Sequence, residues 1–216
     1  MGKGIQVFSG WFLLFCLLAF AGCREIDRYI EDLSTADSQK REQALHKLQE
    51  MGPGARKALP ALQLATEDED PRIRRLAVEA LGAMGDEAWP AANSVVFCME
   101  DKDLAVRRAA VDAIGRFNKL PSTAMPLLEQ CLGDEDEIIR RLTLSVYVDL
   151  GQKSVFSLVR TLESENPLVR RTAVQALGMI GPDARRAESL LKKLSENDND
   201  KQTRDNATRA LKLISN

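Results

Sequence analysis

Arginine recurs along this chain at Arg41, Arg74, Arg107, Arg140, Arg170 and Arg204, in steps of 33, 33, 33, 30 and 34 residues. No other feature limits the fold as strongly. A period in this range belongs to arrays of small units that bury their apolar faces only against one another. The stretches "PRIRRLAVEALGAMG" (71–85), "LAVRRAAVDAIGRF" (104–117) and "PLVRRTAVQALGMIG" (167–181) overlay column by column.

The columns around the arginine have physical reasons. Four residues earlier stand Asp37, Asp70, Asp103, Asp136, Asn166 and Asp200, side chains that accept from the free N–H groups opening a helix. Pro71 and Pro167 follow two of them, at the first helical position, where a missing N–H costs nothing. Three residues after the arginine come Ala44, Ala77, Ala110, Thr143, Ala173 and Ala207, small enough for close helix packing. Gly52, Gly85, Asn118, Gly151 and Gly181, eleven residues after it, suit a helix end with positive φ. Between these units, triplets such as Ile26, Tyr29 and Leu33, or Met125, Leu128 and Leu132, lie along one face of a second, shorter helix. Repeats are expected near 25–52, 53–85, 86–118, 119–151, 152–181 and 182–216.

The shared "VRRxAVxALG" helix and short period resemble the HEAT-like repeats named after phycobilisome lyases, over residues 25–216. The resemblance implies an all-α chain, an α-solenoid of about six HEAT-like helix pairs, with the arginine-bearing helices on the concave side. It also implies that Arg74, Arg107, Arg140 and Arg170 pair with aspartates of adjacent repeats.

The N-terminus reads differently. No charge separates Lys3 from Arg24, and the apolar run ends in small residues before Cys23, the anatomy of an export signal over 1–22. A cut after Ala21 would leave Gly22 first. The segment Phe20-Ala21-Gly22-Cys23 resembles the lipobox of bacterial lipoproteins, in which the cysteine is acylated; two or three chains hold a protein stably on a membrane. Cys23 is therefore the expected attachment point, placing residues 23–216 in the cell envelope, facing the periplasm or the exterior.

Little in the mature sequence suggests chemistry of its own. With Lys3 removed, 29 basic residues stand against 32 acidic ones, so bulk attraction to nucleic acid is not expected. His46 is the single histidine, with no nucleophile near it in sequence. The His-Glu pairs of the di-iron hydroxylase among HEAT-like proteins have no counterpart. Cys98 and Cys131 share one column and read as small core residues, and no metal site is expected. The acidic loops at 67–70 and 133–137 read as helix starts.

One outward row remains. Arg75, Arg108, Arg141 and Arg171 lie about 100° around the helix from the structural arginines, beside Glu79, Asp112, Ser145 and Gln175. Stacked at roughly 10 Å per helix, these guanidiniums either form a partner-binding line or pair with neighbouring acids. The expectation is a noncatalytic adaptor or scaffold that needs no cofactor and binds a protein partner on its concave face. Alternatives are an accessory subunit of an enzyme, such as a bilin lyase, and a structural spacer at the membrane.

Overall fold

The computed structural model describes residues 24–215; the leader and Cys23 lie outside the described residues. Among the described residues there is no strand. A helix over residues 24–33 (α1) is followed by α2 (Ser38–Met51), α3 (Leu59–Ala65), α4 (Pro71–Met84), α5 (Ala92–Phe97) and α6 (Leu104–Gly115). Then come α7 (Ala124–Cys131), α8 (Glu137–Leu150), α9 (Val155–Thr161), α10 (Pro167–Ile180), α11 (Glu188–Asn197) and α12 (Lys201–Ile214). Shorter odd-numbered helices alternate with longer even-numbered ones, so the chain is an all-α solenoid of helix pairs. The long helices stack in series and approach one another more closely than the short ones, which puts them on the inner face of the curve.

Every long helix opens on its expected cap. Asp37, Asp70, Asp103, Asp136, Asn166 and Asp200 are extended, and each side chain accepts from backbone N–H groups of the first turn. A second acceptor two residues earlier holds the cap itself: Asp68, Asp101, Asp134 and Asp198 take the N–H of the capping residue at 2.8–2.9 Å. In the fifth repeat Ser164 substitutes, at 3.3 Å.

The periodic arginine fastens these loops. Its Nη1 donates to the carbonyl two residues before the cap in all six repeats: Arg41 to Thr35, Arg74 to Asp68, Arg107 to Asp101, Arg140 to Asp134, Arg170 to Ser164 and Arg204 to Asp198. In three repeats the fork also crosses over to an aspartate of the next repeat. Arg74 grips Asp101 with two bonds of 2.7 Å, and Arg170 grips Asp198 at 2.7 and 2.8 Å. Arg41 reaches Asp68 in the same way, at 3.2 Å. The expected pairing fails for Arg107 and Arg140, which keep only their carbonyl bonds among the described residues. For Arg140 the reason is chemical, because the column that supplies aspartate elsewhere holds the neutral Ser164.

Packing follows the small column. Ala44, Ala77, Ala110, Thr143, Ala173 and Ala207 are at most 1% exposed, and the Thr143 hydroxyl is satisfied by the carbonyl of Ile139 at 2.8 Å. Leu45, Leu48, Leu62, Leu81, Leu128 and Leu158 fill the layer between long and short helices; each fully buried leucine contributes about 1.5–3 kcal/mol of apolar burial. Cys98 and Cys131 are buried in this layer as free thiols, and burial pushes both up to about 11.

Four long helices end on glycine with φ between 51° and 72° and ψ between −127° and −139°. That is the mirror image of the extended region, open to glycine and strained for other residues. Asn118 was expected to serve in the same way and does not. The tolerance of asparagine extends to the left-handed helical region, not to this one. Helix α6 stops instead at Gly115 with Arg116 in ordinary helical backbone, and Asn118 binds back to Asp86 through its N–H at 2.9 Å.

The 30-residue step also has a structural basis. The 3₁₀ segments Gly52–Ala58, Gly85–Ala91 and Gly181–Ala187 have seven residues, whereas Gly151–Ser154 has four. Three residues make one 3₁₀ turn, so the fifth repeat drops one complete turn and keeps its helices in phase.

Candidate partner-binding groove

The outward arginine row lies on the inner face, as the spacing requires, but its members have different surroundings. Arg75 closes onto Glu79 one turn along α4, at 2.5 Å. Arg108 reaches across to the capping Asp136 with two bonds, 2.5 and 3.0 Å, and Arg171 does the same to Asp200 at 2.5 and 2.6 Å. Hydrogen bonding from Arg108 holds the Asp136 carboxyl down at about 2, and Arg171 likewise lowers that of Asp200. Asp112 turns away from the row to pair with Arg116, at 2.7 Å.

Arg141 is the exception. It is exposed, and its side chain forms no ion pair or hydrogen bond among the described residues. The register explains this: Arg108 and Arg171 bind the aspartate capping the next long helix, and the corresponding cap for Arg141 is the neutral Asn166.

Arg141 borders a depression of ≈ 660 Å³ crossing α8, α10 and α12. Its lining includes Leu144, Leu168, Met179 and Leu213, with Gln175, Asn206 and Arg209. Met179 and Leu213 are 59% and 51% exposed, large apolar side chains open to the groove. Arg209 is exposed and, like Arg141, has no side-chain partner among the described residues. Asn206 is only 7% exposed, and its amide nitrogen has no hydrogen-bond partner. A buried amide left in this state costs about 1–3 kcal/mol.

A smaller depression of ≈ 380 Å³ lies on the same face over α4 and α6. Its arginines, Arg108 and Arg116, are already neutralised by Asp136 and Asp112.

The groove thus brings together Arg141, Gln175 and the paired Arg171 from the expected row, and leaves Arg75, Arg108, Glu79 and Asp112 outside it. Arg209 and Asn206 were not singled out for binding from sequence, although Arg209 stands nine residues after its cap, in the column of Glu79, Asp112, Ser145 and Gln175. Among the described residues, no cluster of three or more His, Cys, Asp or Glu could hold a metal, and no helix is long and apolar enough to cross a membrane.

Solved structures of similar architecture cover most of the chain. A designed armadillo repeat protein in complex with the peptide (KR)4 matches with a TM-score of 0.58 at 19% identity, over 87% of this chain and 98% of that one. An archaeal HEAT-like repeats protein from Thermococcus onnurineus NA1 matches with a TM-score of 0.54 at 15% identity, over 92% and 90%. The complex of CpcE and CpcF of phycocyanin lyase from Nostoc sp. PCC7120 matches with a TM-score of 0.53 at 24% identity, over 88% of this chain and 77% of that one. A search of curated proteins found no match. The family model for HEAT repeats matches residues 26–96 and 148–212, more than half of the chain. Capped helix pairs, inter-repeat arginine forks and that match agree, and the chain belongs to the HEAT repeat family.

Proposed function

We propose that this protein is a noncatalytic adaptor that holds a protein partner on its inner face, anchored to a membrane of the bacterial cell envelope through a lipid on Cys23. The supporting observation is the groove over α8, α10 and α12, where Arg141, whose equivalents are paired elsewhere in the array, and the buried amide of Asn206 stand without partners beside exposed apolar side chains. Repeat scaffolds bind along extended surfaces, and a designed protein of similar fold holds a peptide. The anchor rests on the apolar leader and the position of Cys23.

Photo-crosslinking tests the adaptor. A photoreactive residue at Ser145, exposed on the inner face, should give one reproducible protein adduct in membranes, and the same residue at Phe97, 69% exposed on a short helix, should not. Adducts from both positions alike, or from neither, would count against a concave site. The intact mass of the mature chain tests the anchor: a diacylated Cys23 is expected, and a chain beginning at Gly22 without lipid would remove it. A second reading, an accessory subunit of an enzyme, draws on the likeness to phycocyanin lyase subunits. It predicts that the crosslinked partner carries a catalytic activity that falls when this protein is removed.

A further inference from the structure

We infer that the groove between α8, α10 and α12 takes an extended segment of a partner protein carrying two carboxylates four residues apart, with an aliphatic side chain midway between them. The inference deepens the adaptor reading and rests on it.

Charge selects the ligand first. Arg141 and Arg209 flank the groove on helices two layers apart, and neither has a side-chain partner among the described residues; Glu137, one turn before Arg141, is the single carboxylate in the lining, against four arginines. The guanidinium is a planar, permanently charged donor that matches a carboxylate, so the complementary occupant is acidic. A basic segment would face repulsion from both sides.

Distance sets the spacing. Two helix layers at roughly 10 Å each separate α8 from α12, and both arginine side chains can lean inward. In an extended segment, residues four apart stand about 13 Å apart on one face, and the residue between them shares that face. The central side chain would therefore lie over α10, where Met179 is 59% exposed.

The third observation is independent of charge. Asn206 is nine-tenths buried at the groove, with its amide nitrogen unpaired. A carbonyl of an extended backbone is the acceptor such a donor lacks, and the amide can turn to present it. A folded globular surface offers few free carbonyls, whereas an extended segment offers one per residue.

The test uses fluorescence anisotropy with the full chain and a labelled peptide containing Asp-Ser-Leu-Ser-Asp, at low salt. The Asp peptide should bind about tenfold more tightly than its Asn counterpart. Replacing its Leu with Ser should weaken binding several-fold. The double variant Arg141→Gln, Arg209→Gln should abolish the preference for Asp, and Asn206→Leu should weaken both peptides, with the circular dichroism spectrum unchanged. Arg116→Gln, outside the groove, is the control and should change nothing. Equal affinity for the Asp and Asn peptides, indifference to the central Leu, or a preference for Asp that survives the double variant overturns the inference. If the peptide fails while Ser145 still crosslinks one partner, the groove chemistry is wrong and the adaptor stands. If both fail, the adaptor falls with it.

Discussion

The two halves of the inner face are built from the same repeat and end in different electrostatic states. Over α4 and α6 the arginines close on Glu79, Asp136 and Asp112. Over α8, α10 and α12, Arg141 and Arg209 stay without partners and Asn206 keeps a bare amide. The loop at 164–166 accounts for the first of these differences. It supplies Ser164 and Asn166 where neighbouring loops supply two aspartates, so Arg140 loses its crossing partner and Arg141 its acceptor. A neutral cap at Asn166 leaves available in Arg141 a guanidinium that is neutralised in its equivalents Arg108 and Arg171.

The strongest way to break this comparison is at the buried forks. Arg74 and Asp101 are 8% and 11% exposed at the side chain, and Arg74→Ala leaves both the aspartate and two loop carbonyls without their donor. We expect a loss of about 3 kcal/mol in urea unfolding, whereas Arg141→Ala should cost less than about 0.5 kcal/mol. Equal losses would mean that Arg141 has a structural partner after all.

A smaller effect is expected at the helix ends. Gly85→Ala forces φ of 56° and ψ of −134° on a residue with a Cβ and should cost about 2 kcal/mol. The equivalent column in the third repeat holds Asn118, which has no positive φ, so Asn118→Ala keeps the backbone N–H bond to Asp86 and should lose only the side-chain one, about 1 kcal/mol or less. If thermal unfolding ranks them the other way, the account of α6 ending early is wrong.

Capping comes next. Asp103→Ala removes the acceptor for the N–H groups of Ala105 and Val106 and should cost about 1 kcal/mol. The swap that sharpens the comparison is Asn166→Asp. Asparagine and aspartate cap equally well, so stability should rise by no more than about 1 kcal/mol from a new pair with Arg141, while affinity for an acidic peptide falls. Unchanged peptide affinity would show that Arg141 does not set the selectivity of the groove.

The smallest effect concerns pH. The Asp136 carboxyl, held at about 2 by Arg108, lies below the ordinary unfolded value of about 3.9. It contributes stability that is present above about pH 4 and lost as pH falls through 2. Asp136→Asn keeps the cap and removes the pair. The difference from the unmutated chain should therefore be measurable at pH 6, shrink as pH falls through 2 and vanish below it. A difference of full size at pH 2 would point to capping instead.

Much of this architecture was legible because its causes are local. An aspartate four residues before each arginine caps a helix whatever surrounds it, since donor and acceptor are two or three residues apart. The small column packs because helical geometry returns it to one face. Asn118 shows the limit: positive φ is legible as a tendency, and the sign of ψ is not, because ψ depends on the 3₁₀ segment that follows.

The sequence by itself determined the period, the helix starts, the buried alanine column and the face on which the second arginine row lies. Only the tertiary structure decided which of those arginines are free. A guanidinium reaches several ångströms and chooses between an acid one turn along its own helix and one some 28 residues away on the next repeat. Arg75 takes the first, Arg108 and Arg171 the second, and Arg141 neither. The buried state of Asn206 was likewise invisible in sequence, because its column holds Gln43, Leu76, Ala109, Leu142 and Thr172 elsewhere, and whether a polar side chain there finds a partner depends on the helix packed against it.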